Sequence, residues 1–104
     1  MKELPFLSEF RIRIMIGAKT WTCRTSKKAE PGELVVAYPG DGQIILRIVN
    51  VFRMHLRDIA AAHFSMEGCA SPDEFKIIWR RLHPRKGFDP DQLVWVHEFV
   101  RHSV

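Results

Sequence analysis

The sequence has 104 residues, which predicts a single domain spanning residues 1–104 and leaves little room for a second hydrophobic core. Hydrophobic residues make up 46% of the chain and charged residues 27%, a composition that excludes a disordered protein. The formal net charge of +4 favours a polyanionic partner. Many small basic proteins bind no nucleic acid, so the positions of the charges decide whether such a partner is expected.

No apolar stretch approaches the roughly 20 residues that a membrane-spanning helix needs. The longest, Ile44–Phe52, is interrupted by a charged and a polar residue. Residues Met1–Pro5 do not resemble a secretory signal, so we expect a cytoplasmic protein without a membrane partner. In a reducing cytoplasm Cys23 and Cys69 are expected to remain free and to serve as packing residues.

The first segment, Leu4–Ile16, has two interpretations. Apolar residues at alternate positions from Phe10 onward are typical of a strand, and this pattern alone favours the strand. Ser8 followed by Glu9 could instead open a helix.

The next segments predict three strands. Thr20–Thr25 is rich in β-branched and aromatic residues and follows a turn at Gly17. Leu34–Tyr38 and Gln43–Phe52 are separated by the turn Pro39–Gly42, so they should form a hairpin.

From Leu56 the apolar spacing becomes helical. The stripe predicts a helix whose apolar face continues to Glu67 and that ends at Gly68 as its C-cap. On such a face the Glu67 side chain should point inward.

A second helix should begin at Ser71, which is placed as an N-cap before Pro72, with Glu74 completing a capping box. It should end at His83–Pro84. Leu93–Val100 is apolar on both faces, which indicates a central strand. Together these elements predict an α+β domain or a small barrel with helices on one side.

The run from Gly17 to Arg24 combines two cations, two hydroxyl groups and a large aromatic ring. Lys19 and Arg24 could hold a phosphate, a carboxylate or a base edge. Strand alternation places Thr22 with Arg24 on one face and Trp21 on the other. A solvated basic edge strand with a packed tryptophan would show the same pattern.

This run resembles the GxKxxxxR motif of the ASCH family, and more closely the GxKTxTxR form of its small bacterial amidohydrolase branch. The matching residues are Gly17, Lys19, Thr20, Thr22 and Arg24. The resemblance implies the ASCH fold, a PUA-like small β-barrel with flanking helices. It also implies that Leu4–Ile16 forms a short strand and then a helix ending near Gly17.

The resemblance further implies a site that binds RNA or a modified nucleoside. In the amidohydrolase branch the catalytic set removes the acetyl group from N4-acetylcytidine, and by motif it falls on Lys19 as base, Thr22 as nucleophile and Glu67 as acid. The residues expected to bind ligand or RNA are Gly17, Lys19, Thr20, Trp21, Arg24 and His63. No cofactor is expected.

Other interpretations remain open at this point. A non-catalytic RNA-binding module would use the same cations, and a metal-independent ribonuclease is a weaker alternative. Glu67 could be a surface ion-pair partner and His63 a core-edge residue. These two residues could be metal ligands, but no third ligand stands at a recognisable spacing, so no metal is expected.

Aromatic and basic residues elsewhere in the chain could contact RNA, but each also has an ordinary structural explanation. Trp79 and Trp95 could each stack a base, but both lie on apolar stripes and are expected in the core. The basic clusters could border an RNA groove or complement a helix dipole; they are Lys27–Lys28, Arg80–Arg81 and Arg85–Lys86.

Overall fold

The computed structural model describes residues 1–102, and within that range it contains five strands and three short α-helices. The elements in chain order are β1 (Lys2–Glu3), a 3-10 turn (Ser8–Phe10), α1 (Arg11–Met15), β2 (Trp21–Arg24), β3 (Leu34–Ala37), β4 (Ile44–His55), α2 (Leu56–Ala62), α3 (Pro72–Leu82) and β5 (Leu93–Arg101). The predicted α+β class is confirmed.

All five strands belong to one sheet with the order β1-β3-β4-β5-β2. The β1–β3 pair is parallel and the other pairs are antiparallel. The predicted hairpin is confirmed as β3 and β4, and the last strand is central, as predicted. β4 runs three residues beyond its predicted end and leads directly into α2.

The described sheet is not closed into a barrel, so that part of the expected fold is wrong. Its two edges are β1, which has only two residues, and β2. Closure would need a ladder of backbone hydrogen bonds between them. Instead the segment that follows β1 fills the gap, and the Arg24 side chain donates to the carbonyl oxygen of Pro5 at 2.6 Å.

The strand that alternation favoured between Leu4 and Ile16 is also wrong. A 3-10 turn and α1 occupy most of this segment, as the resemblance implied. Phe10 and Ile14, four residues apart, are buried together, whereas Ile12 and Ile16 are 63% and 71% exposed. The buried pair has helical spacing, which the alternating apolar residues concealed.

The first predicted helix is shorter than expected, because α2 ends at Ala62 and Glu67 lies in the turns that follow. There the amide of Glu67 donates to the carbonyl of Phe64, an i to i−3 bond. The carbonyl oxygen of Met66 accepts hydrogen bonds from the amides of Thr20 and Trp21. The segment therefore pairs with the chain entering β2.

The second predicted helix is confirmed as α3. Ser71 caps it by accepting a hydrogen bond from the amide of Glu74 at 3.1 Å. Its buried residues, Phe75, Ile78 and Trp79, pack into the main hydrophobic core. Among residues 1–102 no helix has the length and apolar character needed to cross a bilayer.

Candidate functional site

A cavity of about 390 Å³ lies at the open edge of the sheet, between β2, the segment after β1 and α3. Its volume falls within the range of roughly 300–1,000 Å³ that small-molecule sites occupy. Four predicted site residues line it: Lys19, Thr22, Arg24 and Glu67. The apolar part of the wall comes mainly from Phe6, Phe10, Phe75, Ile78 and Trp79.

Lys19 and Glu67 form a buried ion pair at the base of this cavity, with only 3% and 5% of the two residues exposed. The Lys19 Nζ atom lies 3.6 Å from Glu67 Oε1 and donates a 2.9 Å hydrogen bond to the Glu67 carbonyl oxygen. It also lies 4.3 Å from the centre of the Phe10 ring. A carboxylate, a carbonyl and an aromatic face therefore surround one ammonium group.

Gly68 permits the close approach of the two segments that carry this pair. Its φ of +79° is in the left-handed region, and a Cβ atom built on it would lie 2.7 Å from the Cβ of Lys19. Any larger residue would push the strand entry away from the turn. The glycine predicted as a helix C-cap instead allows Lys19 to reach Glu67.

Thr22 and Arg24 lie on one face of β2, as strand alternation predicted. The Arg24 Nε donates to Thr22 Oγ1 at 3.2 Å, and its guanidinium lies 5.1 Å from the Phe6 ring centre. Burial lowers the pKa of Arg24 from its ordinary value. Within residues 1–102, Lys19 Nζ and Thr22 Oγ1 form no hydrogen bond with each other.

Both cysteines are buried, as expected of packing residues, yet both also contact Glu67. The Cys23 Sγ donates to Glu67 Oε2 at 3.3 Å, and the Cys69 Sγ lies 4.0 Å from the Glu67 carbonyl oxygen. Burial raises the pKa of Cys23 well above its ordinary value and that of Cys69 to about 11. No three His, Cys, Asp or Glu side chains in residues 1–102 are arranged to hold a metal ion.

His97 lies directly beside Thr22 in the register of β5 and β2 and is fully buried. Its Nε2 accepts a 3.0 Å hydrogen bond from the amide of Lys28, so the ring proton is on Nδ1, which faces the Thr22 carbonyl oxygen at 3.4 Å. Burial lowers the pKa of His97. The neutral ring thus joins β2 to Lys28, a loop residue that lines the cavity.

The other residues expected to bind ligand do not reach this cavity. Gly17 and Thr20 border a separate surface depression. Trp21 is buried on the opposite face of β2, where its ring lies 5.2 Å from that of Phe52 and 5.0 Å from that of His63. In the structure these residues position the β2 entry and its packing.

The two tryptophans predicted in the core differ. Trp79 is buried, as expected, but Trp95 is only half-buried, and two cations lie over its ring. The guanidinium of Arg53 and the ammonium of Lys27 lie 5.1 and 5.6 Å from its ring centre. In the strand register Trp95 stands between Arg53 and the cavity residue Arg24.

Sequence reasoning missed Cys23 because alternation directs its side chain away from Thr22. β2 is an edge strand, however, and a cavity beside an edge can receive side chains from both faces. The cavity residues on α3 and in the segment after β1 are mostly apolar, so their sequence gave no indication that they line a site. His97 could have been found from the register, since it is the residue opposite Thr22.

No family model matches this sequence, and no curated protein matches it. Solved structures do resemble it. An ASCH domain from Lactobacillus crispatus superposes with a TM-score of 0.59 at 20% identity, covering 86% of this chain and 68% of that one. A protein of Enterococcus faecalis described by the DUF984 family model gives 0.64 at 20% identity, covering 86% of this chain and 64% of that one.

A third similar structure, a protein from Pyrococcus furiosus, has a TM-score of 0.69 at 16% identity and covers 99% of this chain and 98% of that one. The chain thus spans about two thirds of the two bacterial proteins and nearly all of the third. At these identities the likeness concerns the fold. The chain has the fold of an ASCH domain.

Proposed function

We propose that the cavity binds a modified nucleoside with an exocyclic amide, of the N4-acetylcytidine type, and hydrolyses that amide. One observation carries the proposal. A hydroxyl group, an amine and a carboxyl group, those of Thr22, Lys19 and Glu67, line a single cavity of nucleoside size together with the Arg24 guanidinium. These are the groups that amide hydrolysis through an acyl-enzyme requires.

The buried ion pair can supply both the base and the acid. Transfer of one proton from Lys19 to Glu67 gives a neutral amine and a carboxylic acid, and a water-poor site reduces the cost of losing the two charges. In this state the amine can accept the proton of the Thr22 hydroxyl. The carboxylic acid can protonate the nitrogen that leaves.

In the first step Thr22 Oγ1 attacks the carbonyl carbon and its proton passes to Lys19. The C–N bond then breaks, and the departing nitrogen takes the proton of Glu67. Cytidine is released, and the acetyl group remains as an ester on Thr22. Water attacks the ester and gives a proton to Glu67, while the ammonium of Lys19 returns a proton to Thr22 Oγ1. Acetic acid leaves, and the neutral amine and the carboxylic acid are restored.

The ligand-free geometry requires one local change before this reaction. Thr22 Oγ1 accepts from Arg24 and Lys19 Nζ donates to the Glu67 carbonyl oxygen, so both groups have other partners. Catalytic hydrogen bonds are often looser in ligand-free structures and tighten around the substrate. An acyl oxygen that bonds to Arg24 would free the Thr22 hydroxyl.

We expect the protein to release cytidine from N4-acetylcytidine, and Thr22→Val to reduce the rate on the order of 10³-fold or more. Valine matches threonine in shape and suits a strand, so the fold should be kept. Thr22→Ser retains a hydroxyl and should retain measurable turnover. The rate is measured by following the amount of cytidine over time by chromatography. A wild-type rate no higher than buffer, or equal rates in wild type and Thr22→Val, contradicts the proposal.

A second candidate function is RNA binding without catalysis, and the row of Arg24, Trp95 and Arg53 across three strands favours it. Neighbouring strands lie about 4.8 Å apart, so the row carries cations on both sides of an aromatic ring. Such a surface suits a single strand whose base stacks on Trp95 and whose phosphates meet the arginines.

For this candidate we expect Trp95→Ala and Arg53→Ala each to weaken the binding of short single-stranded RNA by about tenfold. Base stacking and a phosphate contact are lost, respectively. Fluorescence anisotropy measures the affinity of each variant at two salt concentrations. The affinity of the wild type should fall steeply as the salt concentration rises. Arg47→Ala is the matched control, because Arg47 is an exposed arginine of β4 outside the row. Equal losses in Arg47→Ala and Arg53→Ala would exclude the row as the binding surface.

A further inference from the structure

The two oxygens of the buried Glu67 carboxyl group have different partners. Oε1 faces Lys19 Nζ at 3.6 Å, and Oε2 accepts a hydrogen bond from Cys23 Sγ at 3.3 Å. Among residues 1–102 the thiol is the only donor within hydrogen-bond distance of this carboxyl group. All three side chains are more than nine-tenths buried.

We propose that Cys23 is a positioning residue for the reaction, and that its thiol fixes the Glu67 carboxyl group with Oε1 directed at Lys19. The proposal rests on the hydrolysis proposed above. The proton that converts the ion pair into base and acid has to cross the gap between Oε1 and Nζ. Rotation about the Cγ–Cδ bond of a glutamate has broad minima, so a contact that holds one oxygen keeps the other directed at its partner.

The chemistry of the thiol suits this role. Burial and the neighbouring carboxylate raise the pKa of Cys23, so the thiol keeps its proton at neutral pH and remains a donor. A buried carboxylate oxygen without a donor is costly, and Glu67 is only 5% exposed. Cys69 cannot replace the contact, because its sulfur faces the backbone carbonyl of Glu67.

The kinetic test compares Cys23→Val with Cys23→Ser. Valine preserves packing but has no donor, so we expect kcat for N4-acetylcytidine to fall about tenfold with KM unchanged. Serine restores a donor at the same position and should recover most of kcat. A defect of packing alone would give the opposite order, because serine is smaller and more polar than valine. An unchanged kcat in Cys23→Val, or a larger loss in Cys23→Ser, overturns the proposal.

A spectroscopic test needs no activity. The infrared difference between wild type and Cys23→Val isolates the S–H stretching band of Cys23, which should lie at the lower frequency of a hydrogen-bonded thiol. In Glu67→Leu, which removes the acceptor, the band should move to the frequency of a free thiol, and a band that does not move overturns the proposal. If the wild type hydrolyses nothing, the proposed function fails, and the infrared result alone decides whether Cys23 holds Glu67.

Discussion

Replacing Lys19 with methionine should lower the free energy of unfolding by about 3–5 kcal/mol, because it leaves the Glu67 carboxylate buried without a cation. Both residues are at most 5% exposed, so solvent compensates poorly for the lost partner. The substitution also removes the 2.9 Å hydrogen bond to the Glu67 carbonyl oxygen, which fixes the turn after α2. Hydrolysis, if measured on the folded fraction, should fall to background because the base is lost.

A double-mutant cycle measures this coupling. Urea unfolding of Lys19→Met, Glu67→Leu and the double variant should show that the double variant loses well under the sum of the single losses. The exposed ion pair of Lys2 and Glu33 has a similar separation of 3.3 Å, with side chains 49% and 35% exposed. Lys2→Met should therefore cost under about 1 kcal/mol. Additive losses at Lys19 and Glu67 would mean that the buried pair is not coupled.

The local part of the candidate site could be predicted from the sequence. Alternation along β2 placed Thr22 and Arg24 on one face, and the spacing of a capped helix located α3. These predictions succeeded because each depends on residues within a few positions of one another. The resemblance to the ASCH family added the expectation that Glu67 belongs to the same site as Lys19 and Thr22.

The long-range part could not be predicted from patterns. Glu67 does point inward, but the helix from which we inferred this ends at Ala62. The side chain is turned inward by strand-like contacts between residues near Met66 and the entry to β2, 46 residues earlier in the chain. Likewise the open edge of the sheet depends on a two-residue β1 and on Arg24 reaching Pro5, which no periodicity reports.

His97 makes the site sensitive to acid, and the sign follows from its environment. Burial lowers its pKa below the ordinary value of about 6.5, and the charges of Arg24 and Lys28 act in the same direction. Carbonyl groups of Thr22 and Trp95 favour the charged ring, but burial outweighs them. Below about pH 6.5 the unfolded chain therefore binds a proton that the folded ring does not accept.

We expect the stability that depends on a neutral His97 to be complete above about pH 6.5 and to be lost as the pH falls through the folded pKa. Each unit between the two pKa values corresponds to about 1.4 kcal/mol. Urea unfolding from pH 7.5 to 5 measures the loss, and His97→Gln, which has donor and acceptor groups but does not titrate, should reduce the slope.

Protonation of Nε2 also removes the acceptor of the Lys28 amide. This hydrogen bond holds the loop around Lys28, which lines the cavity, against β5. Amide exchange at Lys28 should therefore accelerate as the pH falls from 7 to 5, after correction for the intrinsic exchange rate. The amide of Ile48 is the matched control, since it bonds to the carbonyl of Glu33 and not to a titrating ring. If the two amides respond alike, or if wild type and His97→Gln have the same slope, His97 is not the acid-sensitive contact. A protected Lys28 amide that opens selectively would show that the loop bordering Thr22 is held by one uncharged imidazole.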